Sequence, residues 1–169
     1  ANLSIYSAQT CNARCPFCVE ELRPLSRGGG LSEQKQIEHD DEVYFARLEA
    51  VLQAVKSLRP SLSLTGGEIS IDPRLPRILR VLREHNTKKR VMTTNGSGLL
   101  RKSEDGALVL EHVLAGGLSH LNISRAHSDP AINQKLMRFV APAAEDFLPE
   151  VLARLAVAGQ VAPRPRLSC

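Results

Sequence analysis

The sequence predicts an α/β fold, a partial (β/α) barrel of parallel strands, and three observations support this prediction. Apolar runs with the alternation of strands are separated by runs with helical spacing. Four of the strand-like runs lead into unusual loop motifs, namely the cysteines, GGE, TNGSG and SRAH, and in α/β folds such loops line the functional site. The 169 residues contain four strand-helix units and the start of a fifth strand, whereas a complete eight-unit barrel needs about 200 residues or more. We therefore expect one domain over residues 1–169, completed by a missing C-terminal segment or a partner chain.

The first part of the chain contains a predicted strand, a long loop and a helix. Residues 3–8, LSIYSA, alternate like a strand and run into a loop that contains cysteines. Residues 19–40 carry Pro24, three consecutive glycines and many charges, and this composition predicts a long loop. Residues 41–59 place apolar side chains at helical spacing, with acidic residues first and basic residues last, and the predicted helix ends before Pro60.

The strand and helix pattern then repeats to the end of the chain. Short apolar runs predict strands at residues 61–65, 90–95 and 118–124, and the opening of a fifth strand at residues 165–169. Helices are predicted at residues 73–86, which open with proline, at 106–117, which close with glycines, and at 130–140 and 145–159. Strands and helices in this order imply parallel strands joined by right-handed crossovers.

Composition and charge narrow the possible partners. The formal charge of +4 comes from 22 basic and 18 acidic residues mixed along the chain, and aromatic residues make up only 4%. This pattern lacks the interleaved basic and aromatic residues of a nucleic-acid platform, so it does not favour a nucleic-acid partner. No apolar run reaches the roughly 18 to 20 residues of a membrane span, and the N-terminus lacks the features of a signal peptide. We therefore expect a cytoplasmic protein with no membrane partner.

Three of the four cysteines lie within eight positions, in the stretch TCNARCPFCVEEL. In a reducing compartment this grouping is typical of metal ligands rather than of disulfides. One interpretation is a 4Fe-4S cluster held through three of its irons by Cys11, Cys15 and Cys18, with the fourth iron open to another ligand. The other is a zinc site completed by a histidine such as His39. The cysteines alone leave both interpretations open.

Further motifs follow the other predicted strands. Phe17 precedes the last cysteine of the group, and LTGGEISIDP, TTNGSG and LNISRAHSDP follow the second, third and fourth strands. Together with the cysteine spacing, these motifs resemble those of the radical S-adenosylmethionine (radical SAM) superfamily over most of residues 3–169. The resemblance implies a 4Fe-4S cluster on Cys11, Cys15 and Cys18, with S-adenosylmethionine bound to the fourth iron.

The resemblance also implies roles for the motif residues. Phe17 matches the aromatic position that lies beside the adenine. Gly66, Gly67 and Glu68 match the motif that receives the methionine amino group, because glycine permits close backbone approach and a carboxylate accepts hydrogen bonds from an ammonium. Ile69 stands where the family often has proline, and this departure is expected to change the stiffness of the loop.

Two polar loops complete the implied cofactor site. Ser124 and Arg125 match a position that contacts the ribose or the methionine carboxylate, and arginine suits a carboxylate through its bidentate fork. Asn95 is either a turn residue before Gly96 or a direct ligand.

The activity implied by the resemblance is reductive cleavage of S-adenosylmethionine to a 5′-deoxyadenosyl radical, which abstracts hydrogen from a substrate. The motifs are most similar to the branch that contains molybdenum-cofactor synthesis enzymes and peptide-modifying maturases, so the expected substrate is a small molecule or a peptide. An electron donor such as flavodoxin or ferredoxin is the expected protein partner. The alternatives are a non-catalytic zinc or iron–sulfur binding module and an RNA-modifying radical SAM enzyme.

The residues that contact the substrate are less well specified by the sequence. Glu20, Glu21 and Arg23 follow the cysteines and are polar candidates, and His127 lies in the SRAHSDP stretch. Cys169 is either a late catalytic cysteine or a strand residue. The sequence leaves the substrate, and the roles of His127 and Cys169, open.

Overall fold

The structure is a computed structural model that describes residues 1–7, 10–18, 39–140, 147–159 and 162–168. Its five strands form one parallel sheet in the order β1-β2-β3-β4-β5, so each strand pairs with the next strand along the chain. At least one helix precedes each of the strands β2 to β5. This arrangement confirms the predicted α/β fold and agrees with a partial (β/α) barrel.

The elements lie close to the predicted ranges. The strands are β1 (Asn2–Tyr6), β2 (Ser61–Thr65), β3 (Lys89–Thr94), β4 (His120–Ser124) and β5 (Arg164–Ser168). The helices are α1 (Asp41–Ala54), α2 (Leu75–Glu84), α3 (Val109–Ala115), α4 (Pro130–Met137) and α5 (Leu148–Ala158). Short 3₁₀ turns lie at Lys56–Leu58 and Ile69–Ile71.

Several boundaries differ from the prediction, and three of these differences are informative. The helix predicted at 41–59 ends at Ala54 and tightens into the 3₁₀ turn, because Arg59 adopts a left-handed φ of 43° before the chain enters β2. The α3 helix starts three residues later than predicted, because Ser103 and Ala107 close a turn first, with the Ser103 N–H donating to the Ala107 carbonyl at 2.8 Å. The fifth strand is more than an opening stretch, since β5 pairs with β4 over five residues.

Several predictions fall outside the described residues. Of the loop predicted at 19–40, only the last two residues are described. Glu20, Glu21, Arg23 and Cys169 all lie outside the described residues. In the part of the chain that the structure describes, no helix is long and apolar enough to cross a membrane.

The two faces of the sheet differ in polarity. Leu62, Leu64, Met92, Leu121 and Ile123 point towards the helices and are at most 1% exposed. Because side chains alternate along a strand, the residues between them point to the opposite face. That face, which we call the polar face, is half-buried and carries Ser63, Thr65, Val91, Thr93, His120, Asn122 and Ser124. The core therefore lies between the sheet and the helices, and the polar face is left for other contacts.

The α2 helix shows how the apolar side of this arrangement is stabilised. Leu75, Ile78, Leu79 and Leu82 form one stripe of the helix and are at most 1% exposed. Burial of each such side chain contributes about 1.5 to 3 kcal/mol. The helix is thereby fixed against the sheet, and it holds the loop that connects it to β2.

The loops after β2 and β3 touch each other without intervening side chains. A Cβ atom placed on Gly98 would lie 2.2 Å from the backbone oxygen of Ser70, so only glycine fits there. The Gly98 N–H donates a hydrogen bond to the Ser70 hydroxyl at 2.9 Å. The loops that carry the two glycine motifs are therefore fixed relative to each other.

Candidate active site

The loops that follow β1, β2, β3 and β4 meet at the edge of the sheet where parallel strands end. They surround a cavity of about 430 Å³ lined by Tyr6, Cys11, Ala13, Cys15, Phe17, Cys18, Thr65, Gly66, Gly67, Glu68, Thr93, Thr94, Asn95, Ser124 and Met137. A larger cavity of about 650 Å³ on the outer side of α2 contains none of the predicted site residues. The chemistry-bearing motifs therefore point to the smaller cavity.

Three cysteines share the mouth of this cavity. Cys11, Cys15 and Cys18 are free thiols. Burial raises the pKa of Cys11, and the nearby charges of Glu68 and Cys18 raise it further. Burial also raises the pKa of Cys15, with further increases from Cys11 and Cys18. Because all three thiols line one cavity, their thiolates would repel one another, and a bound cation would stabilise the three together.

The cysteine loop is anchored to the end of α4, far along the chain. The Arg14 N–H donates to the carbonyls of Met137 and Arg138, both at 3.1 Å. The Val140 N–H donates to the Asn12 carbonyl at 2.9 Å. These bonds hold the residues between the first two cysteines against a helix of the fold.

Glu68 is only 2% exposed and ties three loops together through its carboxylate and its backbone N–H. Its Oε1 accepts hydrogen bonds from the Ser70 N–H at 2.9 Å, from the Ser70 hydroxyl at 2.6 Å and from the Thr94 hydroxyl. Its Oε2 accepts from the Asn95 N–H at 2.6 Å, and the Glu68 N–H donates to the Thr10 carbonyl at 2.8 Å. Three donors therefore converge on Oε1 and one on Oε2, which leaves a lone pair of Oε2 for a further donor.

Three side chains form a closed ring of hydrogen bonds between the cysteine loop and the loop after β3. The Asn12 amide donates to the Ser97 hydroxyl at 2.9 Å, and that hydroxyl donates to Asn95 Oδ1 at 2.7 Å. The Asn95 amide donates back to Asn12 Oδ1 at 3.0 Å. Each member of this Asn12-Ser97-Asn95 ring donates and accepts, so the bonds polarise one another.

Comparison with known proteins identifies the family that this arrangement represents. The family model described as the radical SAM superfamily matches residues 5–160. The chain belongs to the radical SAM superfamily. The family assignment made from the motifs is therefore confirmed.

A solved structure with the same fold is that of a larger radical SAM protein, Streptococcus suis SuiB, crystallised with the precursor peptide SuiA bound. The two folds superpose with a TM-score of 0.60 at 19% sequence identity. The similarity covers 98% of this chain and 32% of the SuiB chain, so the chain spans about a third of that protein. No curated protein matches the chain.

The donor set fits the 4Fe-4S cluster that radical SAM enzymes use. Cys11, Cys15 and Cys18 are thiols, the ligands that iron–sulfur clusters take. Among residues 1–7, 10–18, 39–140, 147–159 and 162–168, no three His, Cys, Asp or Glu side chains are grouped around the position of a single metal ion. Cysteines of a cluster instead bind separate irons and lie further apart.

His39, the residue considered for a zinc site, lies at the start of α1. Its carbonyl accepts a hydrogen bond from an Arg74 guanidinium nitrogen at 2.9 Å. It does not line the cavity. The structure therefore does not bring His39 to the cysteines.

Most of the other predicted site residues of this radical SAM chain do line the cavity. Phe17 is 51% exposed there, which leaves much of its ring free for contact. Gly66 has a φ of 149°, a conformation that favours glycine, and Gly67 follows it along the cavity wall. Asn95 and Ser124 reach the cavity from the ends of β3 and β4.

Arg125 lies elsewhere, in the loop after β4. It is 5% exposed, and its guanidinium donates to the carbonyls of His127 at 3.1 Å and Ser128 at 3.0 Å. It does not line the cavity, so contact with the methionine carboxylate stays a prediction. His127 caps the same loop, since its Nδ1 accepts from the Asp129 N–H at 2.9 Å.

Several residues of the cavity wall lie outside the sequence motifs and were not predicted. Tyr6, Thr65 and Thr93 lie on the polar face of the strands, where their alternation with buried aliphatic residues could have revealed them. Thr94 could have been found as the residue before Asn95. Met137 reaches the wall from the end of α4, and no local pattern indicates this.

Replacing Ser97 with alanine is expected to loosen the cysteine loop. The substitution removes the hydroxyl from the ring and leaves the Asn12 amide without its acceptor. We expect backbone hydrogen exchange over residues 10–18 to become about tenfold faster, equivalent to about 1.4 kcal/mol of local stability. Ser97→Thr retains a hydroxyl and should restore protection. Ser119→Ala is the matched control, because its hydroxyl bonds the Arg90 carbonyl at the opposite end of the sheet; equal exchange in Ser97→Ala and Ser119→Ala would refute the role of the ring.

Proposed function

We propose that the chain is the core of a radical SAM enzyme that binds a 4Fe-4S cluster through Cys11, Cys15 and Cys18. S-adenosylmethionine would occupy the adjoining cavity. The observation that supports this most directly is that three free thiols and three further motif loops line the same cavity. When bound, the cluster and S-adenosylmethionine supply one-electron chemistry that ends in abstraction of a hydrogen atom from the substrate. The protein residues bind, orient and shield these groups.

Glu68 and Gly66 are proposed to receive the amino group of S-adenosylmethionine. Oε2 of Glu68 retains capacity for one donor, and an ammonium forms a charge-assisted hydrogen bond with a carboxylate. Gly66 has no side chain, so its backbone can lie close to the ligand, and its φ of 149° is one that favours glycine. The other bonds of Glu68 hold its carboxylate in place before the ligand arrives, which reduces the ordering cost of binding.

Phe17, Asn95 and Ser124 are proposed to contact the remainder of the same ligand. The half-exposed Phe17 ring offers an apolar surface for the adenine. Ser124 offers a hydroxyl near the ribose or the carboxylate group. Asn95 is already bonded to Asn12, Ser97 and Glu68, so it orders the wall and contributes fewer free polar groups.

A peptide is the substrate class that we favour over another small molecule. SuiB has the same fold and binds the precursor peptide SuiA. The reaction also needs a one-electron donor, for which a flavodoxin or ferredoxin in the cytoplasm is proposed. Because the chain spans about a third of SuiB, a further segment or a partner chain is proposed to complete the barrel.

Anaerobic reconstitution tests the proposed function. The chain is supplied with iron and sulfide, reduced with dithionite and mixed with S-adenosylmethionine. We expect a coloured protein whose reduced-cluster EPR signal changes when S-adenosylmethionine is added, and 5′-deoxyadenosine and methionine formed in equal amounts. Liquid chromatography measures both products.

The same experiment separates the alternatives. A reduced and intact 4Fe-4S protein that leaves S-adenosylmethionine uncleaved would contradict the enzyme proposal and favour a binding module. A colourless protein with one bound zinc ion per chain would favour the zinc interpretation. Omission of dithionite is the control, since cleavage without a reductant has another cause.

A further inference from the structure

The strands carry an unbalanced positive charge. None of the five described strands contains an aspartate or a glutamate, whereas Lys89, Arg90, Arg164 and Arg166 all lie in strands. Arg90 is engaged on the other side of the sheet, where its guanidinium donates to backbone carbonyls, including that of Gly117 at 3.2 Å. The remaining three cations belong to the polar face by their alternation along β3 and β5.

The strand register connects these cations to the candidate active site. Thr93 lines the cavity, pairs with Asn122 on β4, and Asn122 pairs with Arg166 on β5. Parallel neighbours in register point to the same face and lie about 4.8 Å apart, so Arg166 is about 10 Å from Thr93 along this row. The Asn122 amide donates to the Thr93 hydroxyl at 3.3 Å, which makes the row continuous. The row therefore begins at the cavity and ends at an exposed guanidinium.

Two polar atoms of β4 on this face lack partners within the described residues. Asn122 Oδ1, in this row, and His120 Nδ1, two positions earlier on β4, are buried and have no hydrogen-bond partner among the described residues. The guanidinium groups of Arg164 and Arg166 form no hydrogen bond or ion pair within that same part of the chain, although the Arg164 backbone N–H donates to the Ser119 carbonyl at 3.0 Å. His120 pairs in register with Arg164, so the two side chains lie on the same face. Burial, followed by the positive charges of Lys89, Arg166 and Arg164, lowers the pKa of His120.

We propose that the polar face binds a peptide segment that carries a carboxylate side chain, with the carboxylate on Arg166 and a peptide N–H on Asn122 Oδ1. This inference rests on the proposed function and names the substrate class for the same site. The planar guanidinium of Arg166 matches a carboxylate in a bidentate geometry. The unpaired Asn122 Oδ1 needs a donor, and a peptide backbone supplies one within the same ligand.

Other anionic ligands satisfy fewer of these groups. A free phosphate would bind the guanidinium, but it is one compact group and does not extend along the row as a peptide chain does. Single-stranded RNA usually stacks its bases on aromatic side chains, and Tyr6 is the one aromatic residue in the five described strands. An acidic peptide satisfies both the positive charge of Arg166 and the acceptor of Asn122.

A binding measurement on the reconstituted protein tests this proposal. The probes are a fluorescein-labelled decapeptide with three glutamates separated by glycines and its counterpart with glutamines. We expect the glutamate peptide to bind more tightly by fluorescence polarisation. We expect Arg166→Gln to weaken that binding about tenfold and to leave binding of the glutamine peptide unchanged. Arg164→Gln is the second variant, and we expect a smaller loss of affinity for the glutamate peptide. Asn122→Leu should weaken the binding of both peptides, because it removes the acceptor of the peptide N–H.

Arg80→Gln is the matched control, since Arg80 is an exposed arginine on the outer side of α2. Equal losses in Arg166→Gln and Arg80→Gln would show non-specific attraction and overturn the proposal. Two competitors test the identity of the ligand. If a decauridine strand displaces the labelled glutamate peptide at a lower concentration than unlabelled peptide does, and this depends on Arg166, the proposal is overturned in favour of RNA. If inorganic phosphate displaces the labelled peptide as well as unlabelled peptide does, the peptide assignment is overturned. The binding result is independent of 5′-deoxyadenosine formation, so the failure of this proposal and of the proposed function are distinguishable.

Discussion

Replacing Cys15 with alanine is expected to abolish both cluster binding and cleavage of S-adenosylmethionine. Cys15 lies between Cys11 and Cys18 at the mouth of the cavity, and its removal leaves two thiols for a cluster that needs three. The described part of the cavity wall offers no other side chain to replace Cys15 as a cluster ligand, since it contains no histidine and no acid other than Glu68. We expect iron and sulfide contents near zero after reconstitution, and 5′-deoxyadenosine formation reduced by at least about 10³-fold, as expected when a group essential to the reaction is removed.

Cys169→Ala is the matched control, because Cys169 is the one cysteine outside the motif. Its iron content should equal that of the unmodified protein. Thermal unfolding of the two apoproteins checks that the substitutions leave the fold intact, since Cys15 is only half-buried. Full iron content in Cys15→Ala, or an equal loss in Cys169→Ala, would show that the motif is not the cluster site.

The fold could be predicted from the sequence because its signals are local. Alternation in SLSLT, helical spacing around Leu75 and Leu82, and the glycines after the strands each act over a few residues. Parallel connection then follows from the order of strands and helices. Boundaries were less accurate where a tight turn intervened, as at Arg59 and between Ser103 and Ala107.

The candidate site was predicted less completely because several of its contacts join distant parts of the chain. Asn12 and Ser97 are 85 positions apart, and no local spacing indicates that they bond. Arg125 was expected at the cofactor because it matches a motif position that contacts the ribose or the methionine carboxylate. No motif predicts the bonds from its guanidinium to carbonyls of its own loop, and the cofactor contact stays a prediction. Glu68 shows the same limit, since the motif predicts a ligand and does not predict the bonds to Ser70 and Thr94.

Replacing Glu68 with glutamine is expected to destabilise the apoprotein by about 2 to 4 kcal/mol. Hydrogen bonds to a buried charged group contribute about 1.5 to 3 kcal/mol, and buried donors that are left unpaired add a further cost. The carboxylate accepts from donors on both of its oxygens, including the N–H groups of Ser70 and Asn95. A glutamine side chain presents an NH₂ group at one of these positions, so one donor must face another donor. Urea unfolding measures the free energy of unfolding, and a total stability of about 5 to 15 kcal/mol makes this loss easily detected.

Glu42→Gln is the matched control for the change of charge. The Glu42 side chain is 80% exposed and pairs with Arg77 at 2.6 Å on the surface, where solvent weakens ion pairs, so little change in stability is expected. A loss confined to Glu68→Gln would show that the carboxylate stabilises the loops before any ligand binds. If instead Glu68→Gln unfolds at the same urea concentration as the unmodified protein but cleaves S-adenosylmethionine more slowly, Glu68 acts only as a ligand. The stability measurement therefore separates the structural role of this carboxylate from its proposed contact with the amino group, which activity measurements alone would combine.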